Sequence, residues 1–288
     1  MRTVKYLNLP ADINALTINA DDWYQVDNLR KYIKFEDWHN CESRFEINIQ
    51  KILQLLNQTN TKATFFIMGW EAAKSPEIIQ QILNDGHEIA TQGYQNRFLH
   101  ELSRDQFEDD LKKAIDIIEN ITNEKVIGYR APHFSVSENT TWIWAILSKL
   151  GIKYDSSIFP VKHIRYGYPD APRFPFHIAM NGSGELIEYP LSTYKLFKAN
   201  IPIAGGGYLR LFPYRFIHNS LKKINKSGKP VNIYFHPWEM DRYQPHVKLD
   251  ILSSFRHYTN IKDTENKVRN LLNEFKFAPI KKILGLED

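Results

Sequence analysis

Residues 62–91 read as strand, helix and strand. Lys62-Ala63-Thr64-Phe65-Phe66-Ile67-Met68 is an apolar run of strand length. Ser75-Pro76 then opens a helix with a capping residue and a proline in the first turn. That helix stops near Asp85-Gly86, and His87-Glu88-Ile89-Ala90-Thr91 is the next strand. The same rhythm extends both ways. Asn14 to Ile18 is a compact apolar strand, and Arg44 to Asn57 carries Phe45, Ile49, Ile52, Leu53 and Leu56 at helical spacing. Ser103 starts a helix with Phe107, Leu111, Ala114, Ile115 and Ile118 on one face. Val126 to Tyr129 is strand-like, Ser137 to Leu150 helical, and Ile152 to Asp155 a strand again. Strands alternating with helices in this way predict an α/β fold with a parallel sheet or barrel.

The texture changes after Pro160. Pro169, Pro172, Pro175, Gly182, Gly184 and the triplet Gly205-Gly206-Gly207 mark long irregular connections. Between them lie a strand at Glu185 to Tyr189, a helix at Tyr214 to Lys226, a strand at Val231 to Phe235 and a closing helix at Thr264 to Phe275. No flexible linker separates the halves. Residues 13–160 are therefore expected to form a (β/α) half, and residues 161–285 a C-terminal extension that completes the same fold.

Composition narrows the function classes. The 288 residues are 43% hydrophobic and 24% charged, enough for a large core and too mixed in sign for disorder. A net charge of +4 without a Lys/Arg block argues against a nucleic-acid partner. No window approaches the 18 or so consecutive apolar residues of a membrane helix. Met1 to Pro10 lacks the apolar run of a secretory signal, and Cys41 is the single cysteine, so a cytoplasmic location is expected. The 15 Tyr and 6 Trp suit sugar surfaces as well as cores, because each pairs an apolar face with a polar edge.

Several ordered motifs point further. They are Leu16-Thr17-Ile18-Asn19-Ala20-Asp21-Asp22-Trp23, Ala63-Thr64-Phe65-Phe66 with Gly69-Trp70, and Gly86-His87-Glu88-Ile89-Ala90 running into Thr91-Gln92-Gly93-Tyr94-Gln95-Asn96. Gly128-Tyr129-Arg130-Ala131-Pro132, Tyr154-Asp155-Ser156-Ser157, Gly205-Gly206-Gly207-Tyr208-Leu209-Arg210 and His236-Pro237-Trp238-Glu239 follow. Together they resemble the polysaccharide deacetylase family, carbohydrate esterase family 4 with the chitooligosaccharide-deacetylase homology domain. More closely, they resemble its exopolysaccharide-cluster subgroup, which carries a C-terminal extension. The resemblance implies a distorted (β/α) barrel of about seven strands with the site at the C-terminal strand ends.

It also implies zinc chemistry on an N-acylated amino sugar or polysaccharide. Hydrolysing an acetamide near neutral pH calls for a metal-activated water, a base, an acid and a group that polarises the carbonyl. Carried onto this chain, the base position falls on Asn19, which cannot take a proton. The carboxylate ligand falls on Asp21, with Asp22 beside it, and the two histidine ligands fall on Gln92 and Asn96. Arg130, Asp155 and His236 match the family's orienting arginine, the aspartate that tunes the acid, and the acid itself. The resemblance thus keeps His236, Asp155 and Arg130 as candidate catalytic groups. Asn19, Asp21, Asp22, Gln92, Tyr94, Asn96, Pro132 and Trp238 are the candidate substrate contacts.

One carboxylate and two amides make a weak zinc site, so no metal or other cofactor is expected. Two alternatives stay open: recruitment of His100 (His87 lies near the far end of its strand), or a hard cation held by Asp21, Asp22 and the amide oxygens. Other readings of the retained residues also stand. Asp155 could cap the Ser156-Ser157 turn, Arg130 could be an ion-pair partner, and His236 a satisfied core histidine. Three functions follow: metal-independent catalysis with His236 as acid or base and Arg130 polarising an oxygen, sugar binding without turnover, or deacetylation through a rebuilt metal site.

Overall fold

The computed structural model describes residues 4–163, 165–179 and 185–286. Gly182 and Gly184, read above as loop markers, lie outside the described residues. In chain order the elements are β1 (Ile13–Ala20), α1 (Phe45–Gln58), β2 (Thr64–Ile67), α2 (Gly69–Lys74), α3 (Pro76–Asn84) and β3 (Glu88–Thr91). Next come α4 (Arg104–Thr122), β4 (Gly128–Tyr129), α5 (Ile143–Lys149), β5 (Tyr154–Asp155), β6 (Phe176–Ile178) and β7 (Leu186–Glu188). The chain continues through β8 (Thr193–Leu196), β9 (Ala199–Pro202), α6 (Gly207–Leu211), α7 (Tyr214–Lys226) and β10 (Asn232–Phe235). It ends with α8 (Ile251–Tyr258), α9 (Ile261–Glu274), β11 (Lys276–Ala278) and α10 (Ile280–Ile283).

The main sheet runs β10-β1-β2-β3-β4-β5-β7-β6, and β11 pairs with the start of β1. From β10 to β7 every pairing is parallel, which makes a curled run of seven strands; β6 joins antiparallel at the edge. The curl nearly closes. Ser192 N–H donates to Asn232 O (3.3 Å), and the Asn232 amide donates to Tyr189 O (3.1 Å), tying the chain after β7 back to β10. This is the single-domain (β/α) barrel that the resemblance implied, opened into a half-barrel.

Alternation along the strands explains both surfaces of the sheet. Leu16, Ile18, Ala20, Phe65, Ile67 and Ile89 face the helices in the main core. Ala15, Phe66, Ala90 and Tyr154 face inward, with Ile280 of α10 packed beneath them. The C-terminal segment thus plugs one end of the barrel. Lys281 N–H donates to Glu88 (3.0 Å), Ile280 N–H to Thr64 (2.8 Å), and Tyr154 Oη–H to Glu88 (2.8 Å). The other end, where the strands terminate, is free to carry a site.

Helix α4 begins where its capping chemistry directs, whereas the Ser75 side chain expected to cap α3 makes no capping bond. Ser103 accepts from Gln106 N–H (3.2 Å) while Gln106 accepts from Ser103 N–H (3.0 Å), a reciprocal cap worth about 1 kcal/mol. In the C-terminal half the structure adds elements that the sequence reading passed over: the β8–β9 hairpin, β6, α6, α8 and β11. The Gly205-Gly206-Gly207 run, expected as an irregular connection, leads into the short α6.

Candidate functional site

A cavity of about 380 Å³ opens at the C-terminal strand ends. Asn19, Asp21, Gln92, Asn96, His236 and Trp238 all line it, six of the eleven residues expected at the site. The other five lie off the wall. Asp22 caps the turn after β1, accepting from Trp23 N–H (2.8 Å), Arg44 N–H (2.7 Å) and Ser43 Oγ (3.0 Å). Tyr94 packs under the Lys113 ammonium, 3.4 Å from the ring centroid, and buried Pro132 starts a tight turn. Arg130 belongs to the barrel interior, and Asp155 faces the helix layer at Trp144.

Arg130 is fully buried, with 0% exposure, and so cannot touch a ligand in the cavity. Its Nη1 donates to Thr17 Oγ1 and to Asn19 Oδ1 (both 2.8 Å), Nη2 to Ser156 Oγ (2.8 Å), and Nε to Ser156 O (2.9 Å). The guanidinium also sits 4.0 Å from the Phe66 ring centroid. Desolvation pushes it down to about 9, still charged at neutral pH. No carboxylate pairs with it among the described residues, so it is not the ion-pair partner considered above. It holds Asn19 Oδ1 from behind the cavity wall.

Asp155 does not reach His236 either. Its carboxylate accepts from Trp144 Nε1 (3.0 Å) and from Ser157 Oγ, and burial pushes it up to about 6. The partner of His236 is Asp21: Nδ1 lies 2.7 Å from Oδ1 and 3.0 Å from Oδ2. The correction has a simple geometric cause. Asp21 follows β1 and His236 follows β10, and these strands are parallel neighbours in register, Ile18 beside Phe235. Burial opposes the charge on both groups. On His236 the Asp21 carboxylate outweighs burial and holds the imidazole above its ordinary value; on Asp21 desolvation wins and the carboxyl is raised. Fixing Nδ1 leaves Nε2 without a protein partner among the described residues.

The amides are held from one side. Gln92 Nε2 donates to Phe66 O (3.1 Å), and Asn96 Nδ2 to Gln25 O (2.5 Å). Hydrogen bonding therefore assigns the amide orientations, with Gln92 Oε1, Asn96 Oδ1 and Asn19 Nδ2 left unpartnered among the described residues. Trp238 Nε1 is buried without a partner as well.

Further wall residues come from the C-terminal half. Tyr166, Tyr208 and Tyr234 line the cavity with Phe134 and His133. Tyr166 and Tyr208 hydroxyls meet at 3.0 Å. His133 stacks on Phe98 at 4.3 Å between centroids, and burial pushes it down to about 4. Arg210 and Glu239 form a buried ion pair (2.7 Å), and Glu239 accepts from His236 N–H (3.0 Å), fixing the turn that presents the histidine. Both lay inside quoted motifs, Gly205 to Arg210 and His236 to Glu239, but spacing alone gave no sign that they meet. Tyr166 and His133 had no such signal.

Comparison with known proteins now places the chain. Residues 30–154 match the polysaccharide deacetylase family, and residues 156–285 match a domain of unknown function, DUF3473. Residues 30–154 are thus a polysaccharide deacetylase domain, as the resemblance implied. The chain is 28% identical over 148 residues to a peptidoglycan deacetylase of Helicobacter pylori, 51% of this chain but only 46% of that protein. It thus spans under half of that relative's length. The fold matches a Mycobacterium smegmatis protein assigned as a polysaccharide deacetylase (TM-score 0.66, 18% identity, 99% of this chain and 94% of that one). It also matches a carbohydrate esterase family 4 pseudoenzyme of Bacillus anthracis (TM-score 0.51, 14% identity, 95% and 65%), of which one mutant has restored enzymatic activity. At these identities the structural matches speak for the fold alone.

Zinc is the metal that a deacetylase of this kind implies, and the residues here do not fit it. Zinc takes thiolate, imidazole and carboxylate donors. At the implied positions stand two neutral amides and Asp21, whose carboxylate is engaged by His236. No group of three His, Cys, Asp or Glu converges among the described residues. His100 is exposed and off the wall; His87 accepts from Ala63 N–H (3.2 Å) at the opposite end of β3.

Proposed function

We propose that this chain binds an N-acylated amino sugar of a surface polysaccharide in the cavity without the family's zinc-dependent hydrolysis. One observation carries the reading. Four polar atoms on wall residues, namely Asn19 Nδ2, Gln92 Oε1, Asn96 Oδ1 and His236 Nε2, have no protein partner among the described residues and are not sealed from the cavity. Open polar groups converging on one cavity fix the orientation of a ligand rich in donors and acceptors. The Tyr166, Tyr208, Tyr234 and Trp238 rings beside them suit the apolar faces of sugars. Sugar binding now stands ahead of metal-free catalysis, because Arg130 and Asp155, expected to serve the reaction, are both away from the wall. A cytoplasmic location belongs to the same reading, and cell fractionation tests it.

The test combines binding with turnover. An N-acetylglucosamine oligomer should raise Tm and quench tryptophan fluorescence, with both effects lost in Gln92→Ala and Trp238→Ala. No acetate should be released, with or without added zinc. Stoichiometric zinc surviving dialysis, together with chelator-sensitive acetate release, overturns the proposal. A second reading rests on the His236–Asp21 pair, whose fixed Nδ1 and free Nε2 form an acid–base arrangement. Turnover that survives chelator and vanishes in His236→Ala would establish it.

A further inference from the structure

A second cavity, about 730 Å³, adjoins the first. The two share Asp27, Asn28, Asn96 and Arg165, and α8 contributes Arg256 to one and Ser253 to the other. They are therefore two reaches of one groove. Each falls in the size range of ligand sites, about 300–1,000 Å³, so the groove accommodates more than one sugar unit.

The charges along it are uneven. Arg210 is tied to Glu239, Arg165 to Asp27, Arg30 to Glu101 and Lys31 to Asp250. Lys34, Arg97 and Arg256 have no carboxylate in ion-pair range among the described residues. Arg97 meets only the Glu101 carbonyl, at 3.4 Å. The free cations sit at both ends: Arg256 on the first cavity, Lys34 and Arg97 on the second. Of the wall acids, Glu36 alone likewise lacks a basic partner among the described residues, so the free charge is net positive. Trp38 and Phe35, edge to face at 5.0 Å between centroids, add aromatic surface to the second cavity.

We infer that the groove takes an anionic polysaccharide in which an N-acylated amino sugar neighbours a carboxylate-bearing sugar. The amide wall holds the acylated unit, and the free cations hold carboxylates on either side of it. This rests on the sugar-binding reading above and adds the charge of the polymer. Arginine recognises planar carboxylates through paired N–H donors, which gives Arg97 and Arg256 the leading roles.

Two six-sugar probes separate the possibilities: an oligomer alternating N-acetylglucosamine with glucuronate, and a neutral N-acetylglucosamine oligomer. Calorimetric titration of the full chain should show the acidic probe binding roughly tenfold more tightly at low ionic strength, with the preference shrinking as added salt shortens the Debye length below about 10 Å. The combined variant Lys34→Gln, Arg97→Gln, Arg256→Gln should erase the preference, the acidic probe losing far more affinity than the neutral one, while Tm stays unchanged. If the wild type binds the neutral probe as tightly as the acidic one, or the variant keeps the preference, this inference falls and sugar binding stands. If neither probe binds, both fall together.

Discussion

The pair that decides the behaviour of the cavity is His236 with Asp21. Its pH dependence follows from the directions of the two shifts. A histidine raised above its unfolded value contributes stability in full below about 6.5, and that contribution is lost as pH rises through the raised folded value. Asp21, also raised, acts in the same direction, because the folded chain again binds more protons than the unfolded one. Asp21→Asn should therefore destabilise by about 2 kcal/mol at pH 6 and clearly less at pH 9. Urea unfolding of both proteins at the two pH values measures this, and an equal loss at both would show that the carboxylate does not hold the imidazolium. Single residues were legible unevenly. Asn19, Gln92 and Asn96 could be placed from the sequence because the family resemblance, pinned at Gly93-Tyr94, carried their positions across. The partner of His236 could not, since pairing across β1 and β10 spans more than two hundred residues and depends on register.

At the scale of elements, the strands β1 to β5 and helices α1, α3, α4 and α7 were readable because their apolar residues recur at strand or helix spacing. The missed pieces lack that signal. The hairpin strands Thr193–Leu196 and Ala199–Pro202 are mostly half-buried or exposed and carry no apolar alternation. Helix α8 leaves Ile251 91% exposed, so its apolar residues do not mark a core-facing stripe. The glycine run was read as a loop, and its reason is a close backbone approach. Ala204 O accepts from Tyr234 N–H (2.7 Å), Gly205 bridges to Tyr234 at φ +152°, and a Cβ there would lie 1.6 Å from Tyr234 O. Gly205→Ala should therefore push the segment off β10 and cost about 3 kcal/mol or more, visible as a fall in Tm. Gly228→Ala, at φ +79° with nothing within 4 Å of the added carbon, serves as the control and should cost less. Equal losses would mean that the bridge at Tyr234 adds nothing.

The whole molecule settles how the two matched regions relate. One family match ends at residue 154 and the other begins at 156, a boundary that invites division of the chain there. The sheet argues against it. β1 lies between β2 of the first region and β10 of the second, β11 pairs its start, and β7 extends β5. Arg130, in the first region, places two of its four hydrogen bonds on Ser156 of the second. Cutting after Asp155 would strip β1 and β5 of neighbours on one side and leave a fully buried guanidinium half-satisfied, each an unpaired group costing about 1–3 kcal/mol. Against the 5–15 kcal/mol by which domains are typically stable, these losses are decisive. A chain ending at Asp155 should show no cooperative thermal transition and poor amide dispersion in NMR. Adding residues 156–288 as a separate chain should restore both if the halves find each other. A sharp two-state melt of the first half alone would show that the barrel closes without β7 and β10, and that the C-terminal region is an appendage to it.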